Sequence, residues 1–381
     1  MRRLLLLVSS VVLVETAFYA VITPLLPELS ATYGLSKGQA GVLAGAYPAG
    51  TFVGALPGGW LAARAGVRPT VLIGLGVMVL TSLVIAFAGS IAVLDGARFF
   101  QGAAGAACWA GGFGWLIRLA PAERRGELIG AAMSAAIAGA LLGPVLGAAA
   151  SALGARGVFG AVAVAGVALM AWAARTPAPE AAGRVPLSAL ADAIRHERRV
   201  GTGMWLMVMP GLLFGTISVL VPLRLGVLGG GAGAIAAVFL VAAGLEAVVA
   251  PVSGRLSDRR GRLVPCIAGL SGAGVAMLLL PTAGSPWVLG LIVILTAPVV
   301  GLLWAPGNAL LADGAEARGL DQGFAFALTN LAWAAGQTTG AAGSARLAQA
   351  AGDALPYLLL AGICAVTVAV LWRAAIVPAP R

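Results

Sequence analysis

Apolar runs of about twenty residues follow one another along almost the whole chain, separated by short polar breaks. Each run is long enough to cross ~30 Å of hydrocarbon as a helix. The pattern predicts helices at about 4–26, 38–62, 69–89, 92–119, 128–151, 156–174, 200–226, 232–254, 264–282, 286–311, 322–347 and 354–373. A membrane barrel would instead show segments of about ten residues with alternating polarity, and the chain has none. The longest polar stretch, Arg175 to Arg199 (RTPAPEAAGRVPLSALADAIRHERR), divides the helices six and six. The expected organisation is a first bundle over 1–174, a linker over 175–199 whose second part could form a basic amphipathic helix, and a second bundle over 200–381.

Composition points the same way. Hydrophobic residues make up 60% and charged residues 10%, mean hydropathy is +0.99, and soluble domains carry roughly 25% charged residues. The formal charge of +10 is an orientation signal rather than a nucleic-acid footprint. With the amino terminus inside, the outer side holds only Lys37, Arg156, Arg224 and Arg346, Arg98 sits within a helix, and the other basic residues face the cytoplasm. That asymmetry predicts twelve spans with both termini cytoplasmic. Glu15 interrupts the first apolar run and no small-x-small site follows Tyr19, so a cleaved signal is not expected. The preference for arginine over lysine, with Lys37 the only lysine, fits the codon usage of a G+C-rich bacterium, and the expected location is the bacterial cytoplasmic membrane.

The halves echo one another. Gly59, Leu61, Arg64, Gly66 and Gly74 return 195 residues later as Gly254, Leu256, Arg259, Gly261 and Gly269, and Gly139-x-x-x-Gly143 returns as Gly336-x-x-x-Gly340. A duplicated six-helix unit is a transporter signature, with the substrate site expected between the halves near mid-membrane.

Three motifs carry a resemblance to the major facilitator superfamily. They are GRLSDRRGR from Gly254, with a degenerate copy GWLAARAGVR from Gly59; RFFQGAAGAA from Arg98 to Ala107; and GALLGPVLGA from Gly139 to Ala148. The last resembles the pattern of that family's antiporters, drug–proton antiporters especially. The resemblance implies an all-α polytopic membrane protein with twelve transmembrane helices in two pseudo-symmetric six-helix bundles. It also implies a carboxylate latch in which Asp258 docks on the positive start of the fifth helix near Glu127, with Arg259 and Arg260 near Glu123 and Glu127. The first-half loop lacks that acid and offers Arg64 and Arg68, which would face Asp313, Glu316 and Asp321. The alternative is that these charges only set topology.

Two carboxylates lie within the apolar spans, Glu15 and Glu246. At ~1.5 Å per residue Glu15 lies roughly 18 Å beyond Arg3, around mid-membrane. An ionised acid there costs about 3 kcal/mol, so each needs a partner or a wet cavity. A carboxyl withdrawn from water also holds its proton more tightly, which suits a proton carrier. The competing reading is a protonated carboxyl making one interhelical hydrogen bond. Arg98, Gln101, Gly105 and Trp109 share a helical face. Arg98 either tunes a coupling acid, as the resemblance implies, or pairs with Asp95 one turn away. Gly139, Gly143 and Gly147 form a small-residue stripe with Pro144 able to bend the helix.

Candidate substrate contacts are Tyr19, Gln101, Trp109, Trp304, Asn308, Asn330, Trp333 and Gln337, which suit an amphipathic organic molecule and, through the indoles and Glu15, a cationic one. The expected function is proton-coupled export of a small organic compound, with proton-coupled uptake on the same fold as the alternative and a non-transporting sensor or scaffold as the rival from another class. An enzyme is not expected: the only histidine, His196, sits among linker arginines, and Cys108, Cys266 and Cys364 are scattered through apolar runs. No ATP-binding glycine-lysine loop is present. The partners expected are protons, a small molecule and the bilayer, for a monomer without cofactor, metal or nucleic acid.

Overall fold

The computed structural model describes residues 1–121, 124–181, 192, 194–318 and 322–376, and these are helical with no strand among them. Helices α1 (Arg2–Ala20), α2 (Leu26–Tyr33), α3 (Lys37–Arg64), α4 (Val67–Phe87), α5 (Ile91–Leu119), α6 (Arg125–Leu153) and α7 (Ala155–Ala174) make the first half. Helices α8 (Arg198–Val227), α9 (Ala232–Arg260), α10 (Leu263–Leu279), α11 (Pro286–Gly301), α12 (Trp304–Ala317), α13 (Gln322–Thr338), α14 (Ser344–Ala351) and α15 (Ala354–Ile376) make the second. Among the described residues nine helical runs are long and apolar enough to cross a membrane. The other crossings are α3, α5 and the run from α13 through α14. Those three are rich in glycine and alanine and lower in hydropathy because they pack against protein on several sides. Residues 187–191 and 193 of the expected amphipathic linker helix lie outside the described residues, and Asp192 and residues 194–196 are helical.

Three crossings are less regular than the sequence pattern suggests. The first does not stop near residue 26: α1 breaks at Val21–Ile22, a tight turn follows over Thr23–Leu25, and α2 continues to Tyr33. Pro24 has no N–H to give the preceding turn, which accounts for the break. The tenth crossing breaks at Leu302–Leu303 between α11 and α12 and runs on to Ala317. The eleventh carries one wide helical turn at Thr339–Gly343 and ends at Ala351.

The duplication is visible in the packing. In the first half α1 packs on α6, α3 on α5 and α4 on α7; in the second, α8 packs on α13, α9 on α11 and α10 on α15. The glycine stripes make the first of these pairs. A Cβ on Gly139 would collide with the Leu13 carbonyl, and one on Gly336 would collide with the Val208 carbonyl. Gly143 and Gly147 extend the first seam past Ala17 to Val21 and Pro24, and Gly340 extends the second to Leu212. One buried apolar cluster gathers mainly first-half side chains around Leu7, Leu43, Leu75 and Trp115; a second gathers second-half side chains around Leu213, Leu270 and Met277.

The halves meet along α3 against α13–α14 and along α6 against α9. At the end away from the clustered arginines, Lys37 pairs with Asp353 across the halves. Gly38 N–H donates to Gln349 Oε1 at 2.8 Å, and Gly41 lies so close to Ala345 and the Ala341 carbonyl that a Cβ would not fit. That end is shut. At the arginine-rich end Phe113 stacks on Phe326 across the halves with centroids 5.5 Å apart, and among the described residues no hydrogen bond or ion pair crosses there.

The candidate gate residues are accordingly not paired as the sequence suggested. Asp258 and Arg259 are exposed without a hydrogen bond to any described residue, and Glu127 accepts at 2.9 Å from Arg124, the residue that precedes its own helix. Asp313 pairs with Arg262 within the second half instead of Arg64, and Arg64 stacks on Trp60 at 5.1 Å. The physical reason is that the halves are drawn together at the opposite end. Glu123 and Asp321 lie outside the described residues.

Candidate functional site

The face Arg98, Gln101, Gly105, Trp109 of α5 meets α1. Glu15 is buried there, 5% exposed, and both of its carboxyl oxygens are engaged. The Tyr47 hydroxyl of α3 donates to Oε1 at 2.5 Å, the Trp109 indole donates to Oε2, and the Thr16 hydroxyl lies 3.2 Å from Oε2. Gly105 makes the space: an added Cβ would stand 2.5 Å from Glu15 Oε1 and 2.7 Å from the Tyr47 hydroxyl. A tyrosine hydroxyl can donate to a carboxylate and accept from a carboxylic acid, so Tyr47 can serve both protonation states of Glu15, whereas the indole can only donate.

Arg98 does not pair with Asp95. It is 1% exposed; Nη1 donates to the Phe18 carbonyl at 2.7 Å and to Gln101 Oε1 at 2.8 Å, and Nη2 donates to the Tyr19 carbonyl at 3.0 Å. Those carbonyls sit just before the break after α1, where the helical ladder no longer supplies their donors. A guanidinium presents its N–H groups in a planar fork and so reaches several acceptors at once. Its carbon also lies 4.7 Å from the Tyr47 ring centroid, so one cation ties together the break, Tyr47 and the helix carrying Trp109. Asp95 Oδ1 is buried without a hydrogen-bond partner among the described residues. Gln101 is fully buried between Arg98 and Ser82, so it supports Arg98 and does not face an open cavity.

The second half carries a partial counterpart. Trp304 Nε1 donates to Glu246 Oε1 at 2.9 Å, and the Glu246 side chain lies against Gly301 at the break between α11 and α12. Asn308 is occupied internally: its amide nitrogen donates to the Trp304 carbonyl at 2.9 Å and its oxygen accepts from Thr329 at 2.7 Å. Between the halves, the Tyr19 ring stands edge-on to Trp333 with centroids 5.2 Å apart and 5.7 Å from Tyr47. Gln337 lies one helical turn beyond Trp333 on α13 and is 2% exposed. The structure therefore brings Tyr19 and Trp333 together. Asn330 is half-buried with no hydrogen bond to a described residue.

Tyr47 is the residue that sequence reasoning missed. Its helix is dominated by glycine and alanine, and a lone tyrosine there carries no charge to flag it. A signal for the tryptophans was present: Trp109-Ala110-x-Gly112 returns 195 residues later as Trp304-Ala305-x-Gly307, the same offset as the loop motif.

A sequence model of the Major Facilitator Superfamily matches residues 8–336. No curated protein matches the chain. Among solved structures, a D-xylose-proton symporter is similar at 18% identity, covering 99% of this chain and 98% of its own with a TM-score of 0.79. A POT family transporter in complex with 5-aminolevulinic acid is similar at 13% identity, covering 97% and 95%, TM-score 0.79. A bacterial homologue of the human lysosomal transporter Spinster, inward-facing and unoccupied, is similar at 15% identity, covering 97% and 96%, TM-score 0.79. At these identities the likeness is one of fold.

Proposed function

This chain belongs to the Major Facilitator Superfamily, and from that premise we propose that it is a secondary transporter exporting a small organic compound in exchange for protons. The observation that carries the reading is Glu15: a carboxyl deep in an apolar span, engaged at both oxygens by Tyr47 and Trp109, beside an arginine that holds the break in the same span. A proton lost or gained at Glu15 changes what Tyr47 can donate or accept, and Tyr47 lies against the Arg98 guanidinium. Protonation is thereby linked to the position of Tyr19, which touches the other half at Trp333.

Substrate enters between Tyr19, Trp333 and Gln337, with Trp304, Trp109 and Asn330 around it, and Glu246 is the second coupling carboxyl. The arginine-rich end faces the cytoplasm of a bacterial cell, and both termini lie there. In the state in which that end closes, Asp258 docks on the start of α6 and Arg64 faces Asp313, while the contact at Lys37 and Asp353 opens. The protein works as a monomer without cofactor.

Export is supported by the resemblance of Gly139, Gly143, Pro144 and Gly147 to the antiporter motif. Uptake in symport with protons is the second reading, supported by the likeness to the D-xylose-proton symporter. The test is solute flux into inside-out vesicles under an imposed gradient, screened across classes of organic compound. An acid lumen drives solute inward if the protein exchanges protons for solute and leaves the lumen depleted if it is a symporter. A flux that ignores the gradient contradicts both.

A further inference from the structure

At the shut end a cleft of about 410 Å³ crosses the two halves, lined by Ser36, Gly38 and Gln39 at the start of α3 and by Arg346 and Gln349 of α14. The orientation of its amides is fixed. Gln39 Oε1 accepts from the Ser36 N–H at 2.9 Å, and Gln349 Oε1 accepts from the Gly38 N–H across the halves at 2.8 Å. Each amide oxygen is thus used on backbone, and each NH2 group, carrying two donors, has no partner among the described residues. The Ser36 hydroxyl oxygen accepts from the Gln39 N–H at 3.3 Å, which leaves its proton to give.

Arg346 supplies the charge. Its stem crosses to the other half, where a Cβ on Gly38 would stand 3.4 Å from Arg346 Cγ. Among the described residues its guanidinium has no hydrogen bond, carboxylate or aromatic ring. Asp353 is paired with Lys37, and Glu28 accepts from Ser151 at 2.6 Å. The cleft therefore offers a guanidinium fork, two amide NH2 groups and a hydroxyl, while its side-chain oxygens are already occupied. A cation finds no open acceptor among these groups. An anion with several oxygens finds donors from both halves, one set of them charged. One water takes ~30 Å³, so the cleft has room for a phosphate group and its hydration.

We propose that this cleft binds a phosphate group, held by Arg346 and Gln349 on one half and by Gln39 and Ser36 on the other. Because the donors come from both halves, the site is complete only while this end is shut. An anion bound there favours the shut state by as much as its affinity differs between the shut and open states. It adds a charged contact across the halves where the Lys37–Asp353 pair, being exposed, contributes little. Free phosphate and the headgroup of a phospholipid share this chemistry, and the experiment separates them. The inference holds for either direction of transport and for any solute.

The experiment places spin labels on cysteines introduced at Thr32 and Ala351 of the full chain, both exposed and on opposite halves; the three native cysteines are buried. Label-to-label distances are measured in neutral detergent with inorganic phosphate against sodium chloride of equal ionic strength. They are measured again in phosphatidylcholine nanodiscs with and without phosphatidylglycerol. Phosphate, phosphatidylglycerol or both are expected to raise the ratio of the short to the long distance severalfold and saturably. A response to phosphate in detergent identifies a free anion as sufficient, and a response to phosphatidylglycerol alone identifies the headgroup. Arg346→Gln is expected to raise the midpoint at least tenfold. Arg224→Gln, which removes a charge from the same end outside the cleft, is expected to leave it unchanged. Thermal melting without added anion reports the folding of each variant. The proposal is overturned if neither probe shifts the distances beyond the chloride or phosphatidylcholine control, or if Arg346→Gln responds as the unsubstituted chain does.

Discussion

Trp109 and Trp304 stand 195 residues apart in the two halves, and each donates its indole N–H to a carboxylate of an apolar span, Glu15 for the first and Glu246 for the second. The acids themselves are not equivalent, since Glu15 lies on α1 and Glu246 on α9. The duplication preserved the donor and the halves supplied different acceptors. Only the first half adds a tyrosine and an arginine around its acid, and that inequality underlies the predictions.

Tyr47→Phe removes a hydrogen bond to a charged or chargeable group while leaving the ring against Arg98. Such a bond contributes roughly 1.5–3 kcal/mol, so gradient-driven flux is expected to fall about tenfold or more while the melting temperature stays within a few degrees. Flux equal to wild type in matched proteoliposomes would remove Tyr47 from the coupling site.

Gly105→Ala introduces a Cβ into the space used by Glu15 and the Tyr47 hydroxyl. Overpacking of this kind costs about 1–3 kcal/mol. Thermal melting should show the loss, and flux should fall with it. Gly59→Ala is the control, because nothing lies within 4 Å of the Cβ it would add.

Arg98→Lys keeps a charge but loses the fork. One ammonium cannot reach the Phe18 and Tyr19 carbonyls and Gln101 together with the same planar geometry. Flux is expected to drop more than tenfold with normal membrane insertion. Asp95→Asn, by contrast, should leave flux near wild type, because Asp95 does not contact Arg98.

The shut end offers a graded test. Lys37 and Asp353 are each more than 40% exposed, and such pairs contribute about 0–1 kcal/mol, so Lys37→Ala should shift accessibility only slightly. Gly41→Val places a branched side chain against Ala345 and should prop that seam open. Labelling of a cysteine introduced at Gln349 with a membrane-impermeant reagent is expected to rise strongly for Gly41→Val and weakly for Lys37→Ala. Equal labelling in both would mean that the ion pair, and not the close approach of α3, closes this end.

Much of the architecture was legible because it rests on local composition. Runs of apolar residues marked the crossings, and the Gly139 and Gly336 stripes pointed to the two seams they now form. What was not legible depends on partners distant in sequence. Asp95 lies one turn from Arg98 and looked like its mate, but the carbonyls freed by the break near Pro24 are better acceptors for three donors. Trp109 and Glu15 were both singled out, yet as a substrate contact and a coupling acid, since nothing local says that one bonds the other. Asn308 read as a free polar group until Thr329 was seen beside it. The gate charges stand apart in this structure, and their pairing belongs to the proposed state in which the arginine-rich end closes.

The account turns on Glu15 taking up and giving up a proton while buried. Infrared difference spectroscopy of the reconstituted protein, stepped through the neutral pH range, reads this without any substrate. The expected result is a protonated-carboxyl stretch that disappears as the pH rises and is missing from the Glu15→Gln spectrum, while a Glu246→Gln spectrum retains it. A pH-dependent spectrum identical in wild type and Glu15→Gln would contradict the account.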